Sequence, residues 1–376
     1  MTPGKAIERT TVPFLDLQKQ HAGIKDEIEG AIRAVIDESA FVGGRFVAEF
    51  EEAFSAYLGA EACVGVANGT DALEVGLEAL ELRPGAEVIV PANSFIATSE
   101  AVSRMGLTVV FADVDEATFA LDPVDVRRRI TDSTGAIIAV HLYGHPAPMT
   151  ELRAIAHEHG LALIEDAAQA HGAEYGGARV GNLGALGTFS FYPGKNLGAM
   201  GDAGALVTED ADLAARARMI ANHGRVAKYE HLVEARNSRL DGLQAAILSV
   251  KLRRLDGWIA HRRGVAGRYG EGLCDIPELT LPSEAPDVRH VYHLYVIRSA
   301  VRDRLRGFLG ENGIQTGIHY PIALPRQPAY QDHPQVDEDL TAVRLSSEIL
   351  SLPIGESMTS LQADRVVEVV RRFFGA

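Results

Sequence analysis

The amino-acid sequence predicts an α/β protein, with a mainly parallel sheet flanked by helices and a smaller C-terminal α+β domain. The first observation is a series of short apolar runs between Glu61 and Thr208, separated by stretches with helical spacing. Such alternation favours a parallel sheet covered on both faces. The second is the end of this alternation, with a smaller unit beginning beyond Pro277. A chain of 376 residues has room for two domains, which we place at 1–257 and 258–376.

The N-terminal elements follow from apolar spacing. Ile24, Ile28 and Val35 fall on one face of a predicted amphipathic helix over 16–38, and Gly43-Gly44 marks the turn after it. Strands are predicted at the apolar runs 64–67, 88–91, 109–111, 136–140, 161–164, 188–191 and 205–207. Helices are predicted between them at 71–82, 94–105, 150–159 and 211–222. Ligands of such a sheet collect at the carboxyl ends of its strands.

The remaining elements belong to the link between domains and to the smaller domain. Apolar residues from Leu240 to Ile259 predict one long helix that joins the two domains. Beyond it we predict a strand at 293–297, a helix near 302–312, a loop rich in Gly and Pro at 313–328, and a terminal helix at 361–374.

Composition and charge restrict the possible partners. There are 36 basic and 51 acidic residues, and no basic cluster interleaved with aromatic residues, which argues against nucleic acid as a partner. Cys63 and Cys274 lie far apart without metal-ligand spacing, so we expect neither a disulfide nor a metal site. The N-terminus lacks an apolar signal core, and no apolar run approaches the length of a membrane span. We therefore expect a cytoplasmic protein with no membrane partner.

Three features together indicate a site for pyridoxal 5'-phosphate. Lys195 stands in a Pro-Gly turn after the run 188–191, Asp166 follows the run 161–164, and Gly69-Thr70 precedes a helix predicted to open at Asp71. This cofactor needs an amine for its aldehyde, a carboxylate for its ring nitrogen and an anion site for its phosphate. Taken singly, the lysine is more often a solvated surface charge and the aspartate a helix cap. Their combination favours the cofactor site.

A set of ordered motifs is more specific. They occur at 67–73, 91–98, 141–144, 165–172, 190–198, 237–241 and 319–321. On these motifs the chain resembles the DegT/DnrJ/EryC1/StrS family of sugar aminotransferases, which are fold-type I pyridoxal-phosphate enzymes. The match covers essentially the whole chain. Arg236 departs from the family pattern, which often has Gly before Asn237.

The resemblance implies a role for each matching residue. Lys195 would bind the cofactor aldehyde and then move a proton between substrate and cofactor, and Asp166 would pair with the ring nitrogen. Gln169 would lie near the ring hydroxyl, and Phe95 would stack on the ring. The phosphate would be held by Gly69, Thr70 and Ser190, and by Asn237 from a partner subunit. Asp71 would also belong to the cofactor site. Substrate would meet His319, Tyr320 and Arg239.

The asparagine from a partner subunit implies a homodimer with a shared active site. Taken alone, Phe95 could be core, Asn237 an ordinary turn residue, and the His319-Tyr320 loop no more than a turn. His171 and His293 are left without a role, because a buried, hydrogen-bonded histidine is at least as common.

The reaction implied by the resemblance is amino transfer from an amino acid, L-glutamate in the family, to a keto-sugar on a nucleoside diphosphate. The run 229–241 favours a 3-keto-6-deoxyhexose. Alternatives are a 4-keto nucleotide sugar, a cyclitol ketone, or a non-catalytic regulator that binds cofactor or nucleotide sugar. A regulator would be expected to lack Lys195 or Asp166, and both are present. A Rossmann dehydrogenase is disfavoured, since no Gly-x-Gly-x-x-Gly opens a helix after an early strand.

Overall fold

A seven-stranded sheet forms the centre of the protein, and the computed structural model describes residues 11–376. The strands within these residues are β1 (Ala62–Val66), β2 (Glu87–Pro91), β3 (Thr108–Ala112), β4 (Thr134–Val140), β5 (Ala162–Asp166), β6 (Glu174–Tyr175), β7 (Ala178–Arg179), β8 (Leu186–Ser190), β9 (Gly204–Thr208), β10 (Arg225–Ala227), β11 (Glu230–His231), β12 (Val288–Arg289), β13 (Tyr295–Arg298) and β14 (Ile349–Leu352). The central order is β1-β9-β8-β5-β4-β2-β3. Within this sheet β9 pairs antiparallel with β1 and β8, and the other four pairings are parallel, which confirms the mainly parallel sheet.

Helices cover both faces of this sheet. The helices of the described residues are α1 (Leu17–Ala22), α2 (Lys25–Asp37), α3 (Arg45–Leu58), α4 (Gly69–Ala79), α5 (Ala97–Arg104), α6 (Pro123–Arg129), α7 (Met149–His159), α8 (Ala211–Ala221), α9 (Gly242–Leu252), α10 (Leu255–Leu273), α11 (Arg302–Glu311), α12 (Thr341–Glu348) and α13 (Ser360–Phe374), with 3-10 turns at Leu142–Gly144, Leu324–Arg326 and Pro328–Tyr330. Side chains alternate across the strands: Val88 and Val90 join one core and Ile89 another. Both faces are therefore buried, as the continuous apolar runs predict.

Two predicted helices are each divided in the structure. The helix predicted over 16–38 is wrong as a single element, because α1 ends before Gly23 and α2 begins at Lys25. The helix predicted over 240–259 is interrupted at Arg253 and Arg254, between α9 and α10. Leu248 and Leu255 still pack in the same core, so the apolar spacing continues across the break and conceals it.

A third core holds the C-terminal part together. Helices α10, α11 and α13 pack around the pair β13–β14, with Tyr269, Leu305 and Val366 buried among them. Val12 joins this core, and its N–H donates to the Gly313 carbonyl at 2.9 Å. The proposed division at 257/258 falls within α10 and stays a prediction. Across residues 11–376, no helix has the length and apolar character needed to cross a membrane, and the cytoplasmic location stays a prediction.

Candidate active site

A cavity of about 960 Å³ opens at the carboxyl ends of the parallel strands. Asp166 and Ser190 are the last residues of β5 and β8. Of the residues singled out in the sequence, ten line the cavity: Gly69, Thr70, Asp71, Phe95, Asp166, Gln169, Ser190, Lys195, His319 and Tyr320. The fold thus brings together residues that are up to 251 positions apart in the chain (69 to 320).

Lys195 stands in a closed turn beside this cavity. Its N–H donates to the Tyr192 carbonyl at 2.8 Å, and the Ala199 N–H closes the turn on Phe191 O at 2.7 Å. Burial lowers the pKa of Lys195 to about 8, although the nearby Asp166 carboxylate acts in the opposite direction. The amine is therefore partly unprotonated near neutral pH, as a nucleophilic lysine requires.

Asp166 is a buried carboxylate with two local donors. Its side chain lies at the end of β5 and the residue is 6% exposed. The Thr98 hydroxyl donates to Oδ2 at 2.8 Å, and the Ala168 N–H donates to Oδ1 at 3.2 Å. Ser94 Oγ lies 2.8 Å from Thr98 Oγ1 and extends this network. The carboxylate is thus held in one orientation at the floor of the cavity.

The start of α4 forms an anion cradle against Ser190. The helix begins at Gly69, two residues earlier than predicted, because Asn68 is the N-cap and its side chain accepts from Asp71 N at 2.8 Å. A Cβ on Gly69 would lie 2.6 Å from the Cβ of Ser190, so only glycine permits this approach. Within the described residues, the Gly69 and Thr70 N–H groups bond no protein acceptor and can meet a phosphate. These residues fit the phosphate of pyridoxal 5'-phosphate.

Gln169 is fixed by two hydrogen bonds. Its Oε1 accepts from the Tyr143 N–H at 2.7 Å, and its Nε2 donates to the Tyr320 hydroxyl at 3.0 Å. An amide nitrogen has two hydrogens, so one remains for a ligand. Phe95 is 54% exposed, which excludes a core role, and its ring centroid lies 5.7 Å from that of Tyr320. Burial raises the pKa of Tyr320 to about 12, so its hydroxyl stays protonated.

His319 forms one wall of the cavity together with the N-terminal segment. Its ring stacks on Phe14 with centroids 5.6 Å apart, and its Nδ1 lies 2.8 Å from Ser351 Oγ. Burial, and then the nearby Lys195 charge, lower the pKa of His319 to about 4. The imidazole is therefore neutral near pH 7.

Asn237 and Arg239 lie outside the cavity. Asn237 is exposed and forms an isolated bridge with Asn222. The neighbouring Arg236, which departs from the family pattern, makes ion pairs with Glu74 and Glu78 on α4, the latter at 2.6 Å. The local path is thus held by Arg236. The structure does not bring Asn237 and Arg239 together with the other candidate residues.

Sequence reasoning missed several residues of the site, among them Thr98, Tyr143 and Phe14. Thr98 lies within the motif 91–98 but carried no role, because its contact with Asp166 is between separate elements. His293 is half-buried and its Nδ1 lies 3.2 Å from Asn196 Oδ1. His171 is buried, but within residues 11–376 neither of its ring nitrogens makes a hydrogen bond of good geometry, and burial lowers its pKa to about 3.

The fold and the cavity together define a pyridoxal-phosphate-dependent aminotransferase. The chain belongs to the DegT/DnrJ/EryC1/StrS aminotransferase family, whose sequence profile matches residues 22–371. It is 44% identical over 367 residues to dTDP-3-amino-3,4,6-trideoxy-alpha-D-glucose transaminase of Streptomyces venezuelae, covering 97% of each chain. It is 46% identical over 361 residues to the erythromycin biosynthesis sensory transduction protein EryC1 of Saccharopolyspora erythraea, covering 96% of this chain and 99% of that protein.

Two solved structures share the whole architecture. The crystal structure of S. venezuelae DesV in complex with a ketimine intermediate superposes with a TM-score of 0.95 at 44% identity, covering 97% of this chain and 99% of that one. The structure of Bacillus subtilis NtdA with bound cofactor PMP gives a TM-score of 0.91 at 33% identity, covering 98% and 86%. The fold-type I assignment and the cofactor assignment are confirmed.

Proposed function

We propose that this chain moves an amino group from L-glutamate to a 3-keto sugar on a nucleoside diphosphate, in the biosynthesis of an amino sugar. The observation that carries the proposal is the meeting of Lys195, Asp166 and the Gly69–Ser190 cradle in one cavity. A relative at 44% identity is named as a transaminase for a dTDP-3-amino sugar, which supports both the nucleotide and the position of amination.

Each residue has a task that its surroundings support. The cradle of Gly69, Thr70 and Ser190 binds phosphate, with Asp71 in the first turn of the same helix. Asp166, oriented by Thr98, keeps a ring nitrogen protonated. Gln169 presents its free N–H to a ring hydroxyl. Pyridoxal phosphate, when bound, supplies an electron sink for the carbon that loses or gains a proton.

Lys195 holds the proton that is moved. An amine with a pKa near 8 is present in both protonation states at neutral pH, so Nζ can take a proton from one carbon and return it to another. Phe95 and Tyr320 lie over the cavity and limit the water around the reacting atoms. His319, neutral and held by Ser351, can donate or accept a hydrogen bond to the sugar without adding charge.

The proposed function includes a homodimer with a shared active site. Asn237 lies outside its own cavity, and the segment just before it exposes the apolar side chains of Tyr229, Leu232 and Val233. Exposed apolar patches mark contact surfaces. With a partner on this surface, Asn237 reaches the phosphate of the other subunit. Arg239, half-buried on the same segment, approaches substrate from there.

The substrate is tested by the amino-transfer half-reaction. The protein loaded with pyridoxamine phosphate is mixed with 3-keto nucleotide sugars, 4-keto nucleotide sugars and cyclitol ketones, and loss of the pyridoxamine absorbance is followed. We expect the 3-keto nucleotide sugars to react fastest. If another ketone reacts faster, that ketone would replace the 3-keto nucleotide sugar as the proposed substrate. If neither L-glutamate nor any of the ketones reacts, the result would favour a non-catalytic regulator that binds cofactor or nucleotide sugar. The name of the EryC1 relative, a sensory transduction protein, describes a function of that kind.

A further inference from the structure

Lys251 is a buried lysine to which the proposed function assigns no task. It lies near the end of α9, and its side chain is 0% exposed. Its Nζ donates to the Gly198 carbonyl at 2.6 Å and lies 2.9 Å from His21 Nε2. Burying an ammonium group costs free energy unless it is compensated by hydrogen bonds. The main compensation here comes from a carbonyl three residues after Lys195.

A second residue of α9, Gln244, forms hydrogen bonds with the segment that follows Lys195. Gln244 Oε1 accepts from the Met200 N–H at 2.9 Å, and Gln244 Nε2 donates to the Met200 carbonyl at 3.5 Å. Residues 244 and 251 are separated by two helical turns, about 10 Å along the axis, and so lie on one face. Helix α9 therefore holds the segment after Lys195 at two points.

The turn that carries Lys195 is tightly packed and hydrogen-bonded, so a displacement of Gly198 must move the rest of the turn. A Cβ on Gly198 would collide with the Pro193 carbonyl oxygen, and the Ala199 N–H is bonded to Phe191 O at 2.7 Å. On the other side, Asn196 Nδ2 donates to Val291 O at 3.2 Å. A movement of the Gly198 carbonyl is therefore passed on to Lys195.

Burial disfavours the charge of Lys251, and within residues 11–376 no carboxylate forms a direct ion pair with it. Burial lowers the pKa of Lys251 to about 8, while the Glu356 carboxylate opposes the shift. Glu356 is itself paired with Arg262 at 2.8 Å and accepts a hydrogen bond from Gln20. Burial and the Lys251 charge lower the pKa of His21, so this imidazole is neutral and accepts from the ammonium group.

We propose that Lys251 is a positioning residue for Lys195, because its ammonium group holds the Gly198 carbonyl and thereby fixes the closed turn that presents the Lys195 amine to the cavity. This inference rests on the proposed role of Lys195. Removing the ammonium group leaves the Gly198 carbonyl without its donor, so the turn loosens and water reaches the Lys195 amine.

The test uses the cofactor-free protein, labelled with ¹³C only at lysine Cε. The chain contains six lysines, so each signal can be followed by NMR against pH, and Lys195→Ala assigns the signal of interest. In Lys251→Met we expect the Lys195 midpoint to rise from about 8 toward the ordinary value of 10.5. Lys251→Arg, which keeps a donor, should restore most of the difference.

Arg253→Met is the matched control. Arg253 is a cation two residues after Lys251, at the C-cap of α9, with a side chain 62% exposed, and its loss should leave the midpoint unchanged. Gln244→Leu removes the hydrogen bonds between α9 and Met200, and it should raise the Lys195 midpoint by a smaller amount. This variant provides the test if Lys251→Met does not fold. A lower melting temperature with an unchanged Lys195 midpoint in Lys251→Met or Gln244→Leu would overturn the proposal. Because no cofactor is present, this result does not depend on which substrate the enzyme takes.

Discussion

The hydroxyl of Thr98, in the first turn of α5, donates a 2.8 Å hydrogen bond to the carboxylate of Asp166 at the end of β5. This contact joins the start of α5 to the end of β5 and orients the acid on which the proposed chemistry depends. Thr98→Val keeps the shape and removes the donor. We expect the free energy of unfolding to fall by about 1.5–3 kcal/mol, the range for a hydrogen bond to a charged group.

Urea unfolding of the cofactor-free protein measures this effect, and Thr98→Ser serves as the control because it keeps a hydroxyl. We also expect slower turnover in the valine variant, since its carboxylate is less well oriented. Equal stability and turnover in the Val and Ser variants would show that the Thr98 hydroxyl does not orient the Asp166 carboxylate.

Gly69 is predicted to be irreplaceable for phosphate binding. In Gly69→Ala the new methyl group would lie 2.6 Å from Ser190 Cβ, so the start of α4 must move away from β8. We expect weaker retention of pyridoxal phosphate, by about tenfold or more in Kd, which corresponds to 1.4 kcal/mol. Equilibrium dialysis measures it. Gly30→Ala, in open space on α2, is the control and should retain the cofactor as the wild type does. Equal retention of pyridoxal phosphate in the two variants would contradict the proposal that the Gly69–Ser190 cradle binds the phosphate.

The capture of cofactor by Lys195 should depend on pH. Only the unprotonated amine attacks an aldehyde, so the capture rate should rise with pH through about 8 and level off above it. Asp166→Asn should move the midpoint to lower pH, because the Asp166 carboxylate favours the charged ammonium. Stopped-flow absorbance records both curves. A midpoint near the ordinary value of 10.5 would show that Lys195 is not shielded from water.

Coexpression of two inactive chains tests the shared active site. Lys195→Ala removes the amine, and Asn237→Ala removes the asparagine proposed to reach the partner. If each cavity uses the partner's asparagine, every heterodimer keeps one complete site, and a random mixture should show about a quarter of wild-type activity. Each variant alone is the control. A coexpressed mixture no more active than the sum of the controls would place the whole site within one chain.

Much of the fold follows from local pattern, and the remainder depends on distant contacts. The strands of the large sheet are predicted within one or two residues, because buried runs such as 136–140 contrast with their polar flanks. The breaks at Gly23 and at Arg253–Arg254 leave the apolar spacing intact, so spacing does not reveal them. Thr98 and Lys251 act through residues more than 50 positions away, and no local signal marks such pairs.

The ion pairs of Arg236 with Glu74 and Glu78 tie the Asn237 segment to α4, the helix whose first residues form the phosphate cradle. In the proposed dimer, this helix binds the phosphate in its own subunit while supporting the asparagine lent to the other. Cofactor bound in one site would then make α4 more rigid, and with it the Asn237 that belongs to the second site. The two sites should accordingly fill with positive cooperativity, and neutralising Arg236 should make their filling independent.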